Sequence, residues 1–365
     1  MDLTVTTADL AAAAADVVRL VPGRLIDPVL SGVLLTADAT GVVVGASDRE
    51  RTARVRRGAL VHTEGRVLVP GKPLAETLRM LDQPQVRLVV EGSMLAIRAE
   101  GARFALPLLD VDLHPGLGTP AHTGVQVSGE HLSSALSTVA TTASRDEALP
   151  IFTGVRIRTE NERLVLRATD RYRMAIATVP CAAEAELDVM VPAALLAEVG
   201  KQLSRAGEVT LAMDANQLTL RWSDTVVTTA ILDGAFLSEN KLNLSGVDTT
   251  VVVHADTLLD ATRRVALYSD TRGVISVEVG DTTLRLRATA QQTGEAEESI
   301  KATVTGGRTS PSYLSRYLQD ALRPFGGREV RLAIQPGMRA TILTHVEPQD
   351  IDLTYIVMPM LPPNH

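Results

Sequence analysis

Apolar positions recur along this chain with two periods. Between Ala8 and Leu20 the spacing is three to four residues, and Leu10, Ala13, Val17 and Leu20 form one stripe, which predicts an amphipathic helix. In "RLVLRAT" (163–169) and "TLRLRAT" (283–289) the spacing is two, which predicts half-buried strands. The order of these signals repeats. A short strand ("DLTVT", "GVQVS", "TVVVH") leads into a helix over Ala8–Leu20, Glu130–Ala140 and Asp256–Leu267. Thr7, Ser128 and His254 stand near the helix starts, the first two as candidate N-caps. Alternating strands follow, then a second helix opened by a proline in its first turn. Further strands close each copy, as in "EVTLAMDANQLTLRW", where "DANQ" reads as a hairpin turn.

Three landmarks fix the repeat. "PVLSGVLLT" (28–36), "PIFTGVRIR" (150–158) and "TRGVISVEV" (271–279) align, with Gly32, Gly154 and Gly273 spaced by 122 and 119 residues. Pro70, Pro192 and Pro311, in "VPGKPLAETLRML", "VPAALLAEVGKQL" and "SPSYLSRYLQDAL", repeat those spacings. Ser47, Thr169 and Thr289, in "GASDRER", "RATDRYR" and "RATAQQT", are 122 and 120 apart. The chain therefore divides into three α+β copies of one domain, expected at 1–121, 122–246 and 247–365. The turn-rich "HPGLGTPAHTG" and "NLSGVDT" mark the boundaries.

Composition narrows the classes. The 365 residues are 45% hydrophobic and 22% charged, with aromatics at only 3%, so an aliphatic core is expected. The net charge of −7 argues against a uniformly basic coat for nucleic acid, but leaves room for a local basic face. Arg19, Arg79, Lys201, Arg205, Arg263, Arg264 and Arg316 lie on the polar faces of the helices, where solvated surface would also place them. The single Cys181 cannot form an internal disulfide and reads as a small buried hydrophobe in a reducing compartment. No basic leader precedes the first apolar run, and no run reaches about 18 residues, so a soluble, cytoplasmic protein is expected.

Chemistry of an enzyme is not apparent. The seven histidines show no HxxxH spacing, and CxxC, the P-loop and G-x-S-x-G do not occur. Asp170 could be taken for a general base, but Arg171 and Arg173 flank it and no nucleophile accompanies it. No catalytic residue, metal site or cofactor is expected.

Over essentially its whole length the chain resembles the bacterial DNA sliding clamps, the beta subunits of replicative DNA polymerase III. The resemblance rests on "VPGRLIDPVLSGVLL", "SRDEALPIFTGVRI", "RATDRYRMAI", "SPSYL" and the terminal "YIVMPM", with "TDRYR" like that of actinobacterial members. It implies a head-to-tail homodimer whose six domains close a ring around duplex DNA, held without sequence readout near the nucleoid. DNA-facing candidates are then Arg24, Lys72, Arg79, Arg145, Lys201, Arg205, Arg263 and Arg316. Arg24 leads them, because it matches the family's DNA-contacting loop. Subunit contacts map to Phe104, Leu106 and Leu267.

The resemblance also implies one pocket per chain for peptide motifs of the polymerase, the clamp loader and other clients. Its residues map to Phe152, Thr169, Arg171, Tyr172, Arg173, Met174, Leu237, Lys241, Leu242, Ile356, Val357, Met358, Pro359 and Met360. Methionines beside a rigid proline suit a groove that repacks around different ligands. The segment "DGAFLSENKLNL" (233–244) departs from the family pattern: Leu237 and Leu244 replace prolines, and the aromatic near Asn240 is gone. Phe152 is bulkier than the usual leucine, and "LPPNH" extends the end. These departures surround one site. They raise the alternative of a specialised second clamp whose remodelled pocket tolerates a clamp-binding antibiotic. A clamp-like protein-binding module without a DNA role is the other alternative.

Overall fold

The computed structural model describes residues 1–22, 27–146, 148–214, 216–234, 236 and 246–361. Six α-helices stand at the repeat positions: α1 (Thr7–Leu20), α2 (Gly71–Arg79), α3 (Gly129–Thr142), α4 (Ala193–Leu203), α5 (Ala255–Ala266) and α6 (Ser315–Leu322). Their first turns are tied down identically in each copy. The leading N–H of α1, α3 and α5 donates to a carbonyl before a distant strand: Thr7 to Pro84, Gly129 to Gly207 and Ala255 to Arg328. That of α2, α4 and α6 donates from Gly71 to Ser31, Ala193 to Thr153 and Ser315 to Gly273. Helix starts leave N–H groups without intrahelical partners, so one tertiary bond per helix satisfies a donor and fixes the helix against its sheet.

Two expectations about these starts are corrected. The N-cap of α1 is Thr6; Thr7 is the first helical residue, and its buried hydroxyl makes no hydrogen bond. Ser128 does cap α3, its hydroxyl accepting from His131 N–H at 3.5 Å. Pro70 and Pro192 directly precede α2 and α4, but Pro311 lies four residues before α6. The intervening Ser312–Leu314 forms a strand paired with Val274–Val279, so Leu314 and not Pro311 is the third equivalent.

The chain packs as two compact units, and the middle copy contributes to both: Met1–Ser133, Ala182–Val191 and Glu198–Ile231 form one, Ser134–Cys181, Pro192–Ala197 and Leu232–His365 the other. In the first, Asp2–Thr6 lies between Leu60–Thr63 and Gln85–Glu91, and Met94–Ala99 and Ala102–Pro107 complete a five-stranded antiparallel sheet that ends on Ala102–Pro107. A second sheet continues from copy one into copy two, because Arg51–Arg57 pairs antiparallel with Thr225–Ala230, matching Ala53 with Val227. "DANQ" does turn the next hairpin, where Asp214 N–H donates to Gln217 O.

In the second unit the same join recurs between copies two and three. Arg173–Ala183 pairs with Asp352–Val357, matching Met174 with Ile356. A separate four-stranded sheet ends on Gly294–Lys301. The interior is mainly aliphatic, yet the scarce aromatics are concentrated here: Tyr313, Tyr355 and Phe325 are the largest fully buried side chains. The expectation of an aliphatic core thus holds better for the first unit than for the second.

Gly41 turns the first hairpin with φ +135°, and a Cβ there would run into the Arg57 carbonyl oxygen. Gly41→Ala is expected to lower the unfolding free energy by roughly 2 kcal/mol, from left-handed strain and overpacking together. The midpoint of a urea titration reads this directly; an unchanged midpoint would mean that the hairpin relaxes around the methyl group.

Candidate functional site

The "TDRYR" segment folds as a tight turn organised by its own side chains. The Asp170 carboxylate accepts from the N–H groups of Tyr172 and Arg173 at 3.1 and 3.0 Å, and Thr169 Oγ1 donates to Arg173 O at 2.7 Å. Arg171 takes φ +83° at the tip. The turn delivers the chain into the strand that pairs with the terminal strand, and the Met358 N–H donates to Tyr172 O at 2.8 Å. Tyr172 and the end of the chain are thereby held side by side.

Arg173 points inward and is 11% exposed. Its guanidinium donates to Asp170 at 2.9 Å, to Asp320 of α6 at 2.6 Å and to the Tyr355 hydroxyl at 3.3 Å. Burial opposes its charge, but Tyr355, Asp320 and Asp170 outweigh burial and raise its pKa above the ordinary arginine value. Burial also raises the pKa of Tyr355, and its hydroxyl oxygen accepts from both Arg173 and Thr142 at 3.3 Å. Arg173 is therefore structural. Thr169, 3% exposed, and the fully buried Val357 are likewise interior and offer no side-chain surface to a ligand, contrary to their assignment to the pocket.

What remains is apolar and adaptable. Met174, Ile356 and Ala340 form a buried floor, against which Ile176, Phe236 and Met358 pack half-buried. Met360 N–H donates to Ser312 O at 2.7 Å, which fixes the chain end beside buried Tyr313. Phe152 is half-buried, and the Arg171 guanidinium lies 5.8 Å from its ring centroid and 5.7 Å from that of Tyr172. A methionine-lined surface with an aromatic and cationic rim suits an apolar peptide segment. Sequence reasoning missed Ala340, Ile176 and Phe236 as parts of this cluster; Phe236 was visible in "DGAF", whereas Ala340 carried no signal. Leu237, Lys241 and Leu242, with the departures at Asn240 and Leu244, lie outside the described residues, as does Arg24.

The predicted basic residues are exposed. Lys72, Lys201 and Arg263 each face a carboxylate on their own helix: Glu76 at 3.8 Å, Glu198 at 2.6 Å and Asp260 at 3.0 Å. Arg79, Arg145, Arg205 and Arg316 have no carboxylate partner among the described residues. In the first unit Lys201 and Arg205 share a groove with Arg19 and with Arg57, which the sequence did not single out. Of the subunit-contact candidates, Phe104 and Leu267 are 42% and 73% exposed. Leu106 is corrected: its side chain is 8% exposed and already belongs to this chain's interior.

The Asp170 carboxylate is spent on its turn and on Arg173, and burial pushes the Cys181 thiol up, away from the thiolate. Among the described residues, no three His, Cys, Asp or Glu side chains gather as a metal site requires.

Comparison with known proteins places this geometry. Residues 1–118, 126–238 and 245–361 match the N-terminal, central and C-terminal domains of the DNA polymerase III beta subunit family. The beta sliding clamp of Streptomyces coelicolor is 29% identical over 96% of both chains. That of Micrococcus luteus is 31% identical, over 76% of this chain and 91% of the relative. The beta sliding clamp homolog GriR of Streptomyces muensis is 29% identical, over 81% and 80%. The crystal structure of the Bacillus subtilis DNA polymerase sliding clamp superposes with a TM-score of 0.93 over 99% of both chains, at 22% identity. With three clamp domains in order and relatives matched over four-fifths or more of their length, this chain belongs to the bacterial beta sliding clamp family.

Proposed function

We propose that the chain acts as a processivity factor, not as an enzyme. Two copies close head to tail around duplex DNA and tether polymerase and other clients by a peptide pocket. The observation that carries this reading is the pair of unmatched sheet edges. The strand after the Asp48 turn, Arg51–Arg57, pairs with the last strand of copy two, Thr225–Ala230, and the strand after the Asp170 turn with the last strand of copy three. The corresponding strand of copy three, Gly294–Lys301, and the last strand of copy one, Ala102–Pro107, both end their sheets. By the rule of the two internal joins these edges are complementary, and pairing them between two chains twice covers both. Gly294–Lys301 carries Glu295, Glu297, Glu298 and Lys301, and Ala102–Pro107 carries Arg103, with Glu297, Glu298 and Arg103 already paired inside the chain. Phe104 and Leu267 supply exposed apolar area beside these edges.

Lys72, Arg79, Lys201 and Arg263 on the helices, with Arg205 in the turn after α4, are the cations that support DNA contact. The same-helix ion pairs of Lys72, Lys201 and Arg263 are worth at most about 1 kcal/mol each, so phosphates can displace those carboxylates. The pocket is the half-buried Met358 surface over the buried Met174 and Ile356 floor, with Phe152, Arg171, Tyr172, Pro359 and Met360 around it. No helix of the described residues is long and apolar enough to cross a membrane.

A second reading, a specialised clamp that tolerates a pocket-binding antibiotic, is favoured by the Phe152–Arg171 stack at the rim and by the likeness to the homolog GriR. Compounds that occupy the pocket of ordinary clamps should bind this protein at least tenfold more weakly; equal affinity removes this reading.

Three outcomes are expected. A clamp loader should place the protein on circular duplex DNA, and linearisation should release it; a binding module without a DNA role is not retained at all. Leu267→Asp should sediment as a monomer, whereas a persistent dimer would overturn the interface assignment. A fluorescently labelled clamp-binding peptide should bind at micromolar concentration or tighter, and removal of Met358–His365 or the pair Met358→Asp and Met360→Asp should abolish its polarisation change. Binding that survives both changes would place the pocket elsewhere.

A further inference from the structure

Beside the apolar surface lies a second, polar cleft of about 720 Å³. The end of α3, the Asp170–Arg173 turn and α6 enclose it. Arg145, Arg171, Arg173, Arg316 and Arg323 face Asp170 and Asp320 there, five cations against two anions. Both carboxylates are already engaged: Asp320 binds Arg173 at 2.6 Å and Arg323 at 2.7 Å, and Asp170 binds Arg173 at 2.9 Å. Three positive charges, on Arg145, Arg171 and Arg316, have no carboxylate partner among the described residues.

Aromatic rings hold two of these three in place. Arg316 lies 4.8 Å from the Tyr317 ring centroid, and Arg171 is stacked as described on Phe152 and Tyr172. Tyr172 and Tyr317 stack on each other at 6.3 Å and 22°. Arg316 also donates to the Tyr317 hydroxyl at 3.3 Å, and the other N–H groups of the two guanidiniums remain for a carboxylate. Ser144 and Thr141 add hydroxyls to the wall.

The cleft and the apolar surface meet at Arg171 and Tyr172. Both line the cleft, Arg171 faces Phe152, and the Tyr172 carbonyl accepts the Met358 N–H at 2.8 Å. A peptide seated on Met358, above the buried Met174, therefore lies next to the mouth of the cleft. We infer that the cleft binds the acidic flank of a client peptide, so that this clamp selects clients whose apolar motif adjoins a cluster of carboxylates. This rests on the pocket reading above. The position beside the apolar pocket favours a peptide flank over a nucleic-acid strand as the source of those anions. On a chain of net charge −7 the cleft is also a local exception, which makes it a filter as well as an anchor.

The test is a polarisation titration of the full-length protein with peptides that share one apolar clamp-binding motif. Three glutamates flank it on the N-terminal or the C-terminal side, and three glutamines replace them in the matched controls. One glutamate peptide is expected to bind about tenfold tighter than its control at low salt, with the advantage shrinking as salt rises. In Arg145→Gln/Arg316→Gln the advantage should fall below threefold while the glutamine peptides bind as before. An unchanged thermal midpoint verifies that the doubly substituted protein is folded. Equal binding of glutamate and glutamine peptides overturns the inference and leaves the pocket standing. Failure of every peptide to bind overturns the pocket reading, and the inference with it. A single-stranded oligonucleotide whose binding needs Arg145 and Arg316, with peptides indifferent to them, would assign the cleft to phosphate instead.

Discussion

The constraint behind this structure is that an antiparallel sheet has two edges, and an open edge recruits further strands. A single copy of this domain cannot cover its own. The chain answers by letting the last strand of each following copy cover the strand after the turn of the one before. Copy boundaries in the sequence therefore do not coincide with the compact units of the fold. Hydrogen bonds run across the joins, and the middle copy is shared between the two units.

The same joins explain why the apolar surface occurs at only one of them. At the join of copies two and three, Met174 faces Ile356 and Arg173 faces Val357. At the join of copies one and two the corresponding register sets Thr52 against Thr228 and Arg51 against Thr229. The backbone geometry is shared, down to the left-handed residue in the turn, Arg49 in one and Arg171 in the other. The side chains decide the outcome, threonine giving a closed polar join and methionine with isoleucine giving an apolar floor. Arg173 then fixes the register of the second join, since a slip of one residue would withdraw its guanidinium from Asp170, Asp320 and Tyr355 together. A buried ion cluster of this kind adds little net stability, but it penalises every other pairing.

Much of this was legible in the sequence, for physical reasons that also mark where legibility ends. The repeat was readable because each copy must rebuild the same helix-on-sheet contacts, which preserves Gly32, Gly154 and Gly273 at the strand starts. Pro311 misled because proline marks a change of direction without stating which element follows it. Thr169, Val357 and Leu106 were placed in contact sites although they are buried. Alternation identifies the two faces of a strand but not which face the partner element covers. The Arg145, Arg171 and Arg316 cluster was invisible for a different reason: its members come from three separate segments, and only the second join assembles them.

Electrostatics connects these features to function. An acidic chain that must stay on DNA cannot rely on net attraction, so its cations have to be local and their contacts weak. Lys72, Lys201 and Arg263 pair with carboxylates one turn away, at surface positions where water screens both partners, which under the proposed DNA role meets this need. A phosphate can replace such a carboxylate and be given up again at little cost, which is the condition for sliding without sequence readout. Arg173 shows the opposite regime, buried and paired with two aspartates, where exchange would strand charge in the interior. Arg171 and Arg316 fall between the two, with aromatic faces in place of carboxylate partners, and Arg145 has neither among the described residues. That leaves Arg171 and Arg316 preorganised but electrostatically unsatisfied, the state in which a cationic group discriminates best among the ligands that reach it.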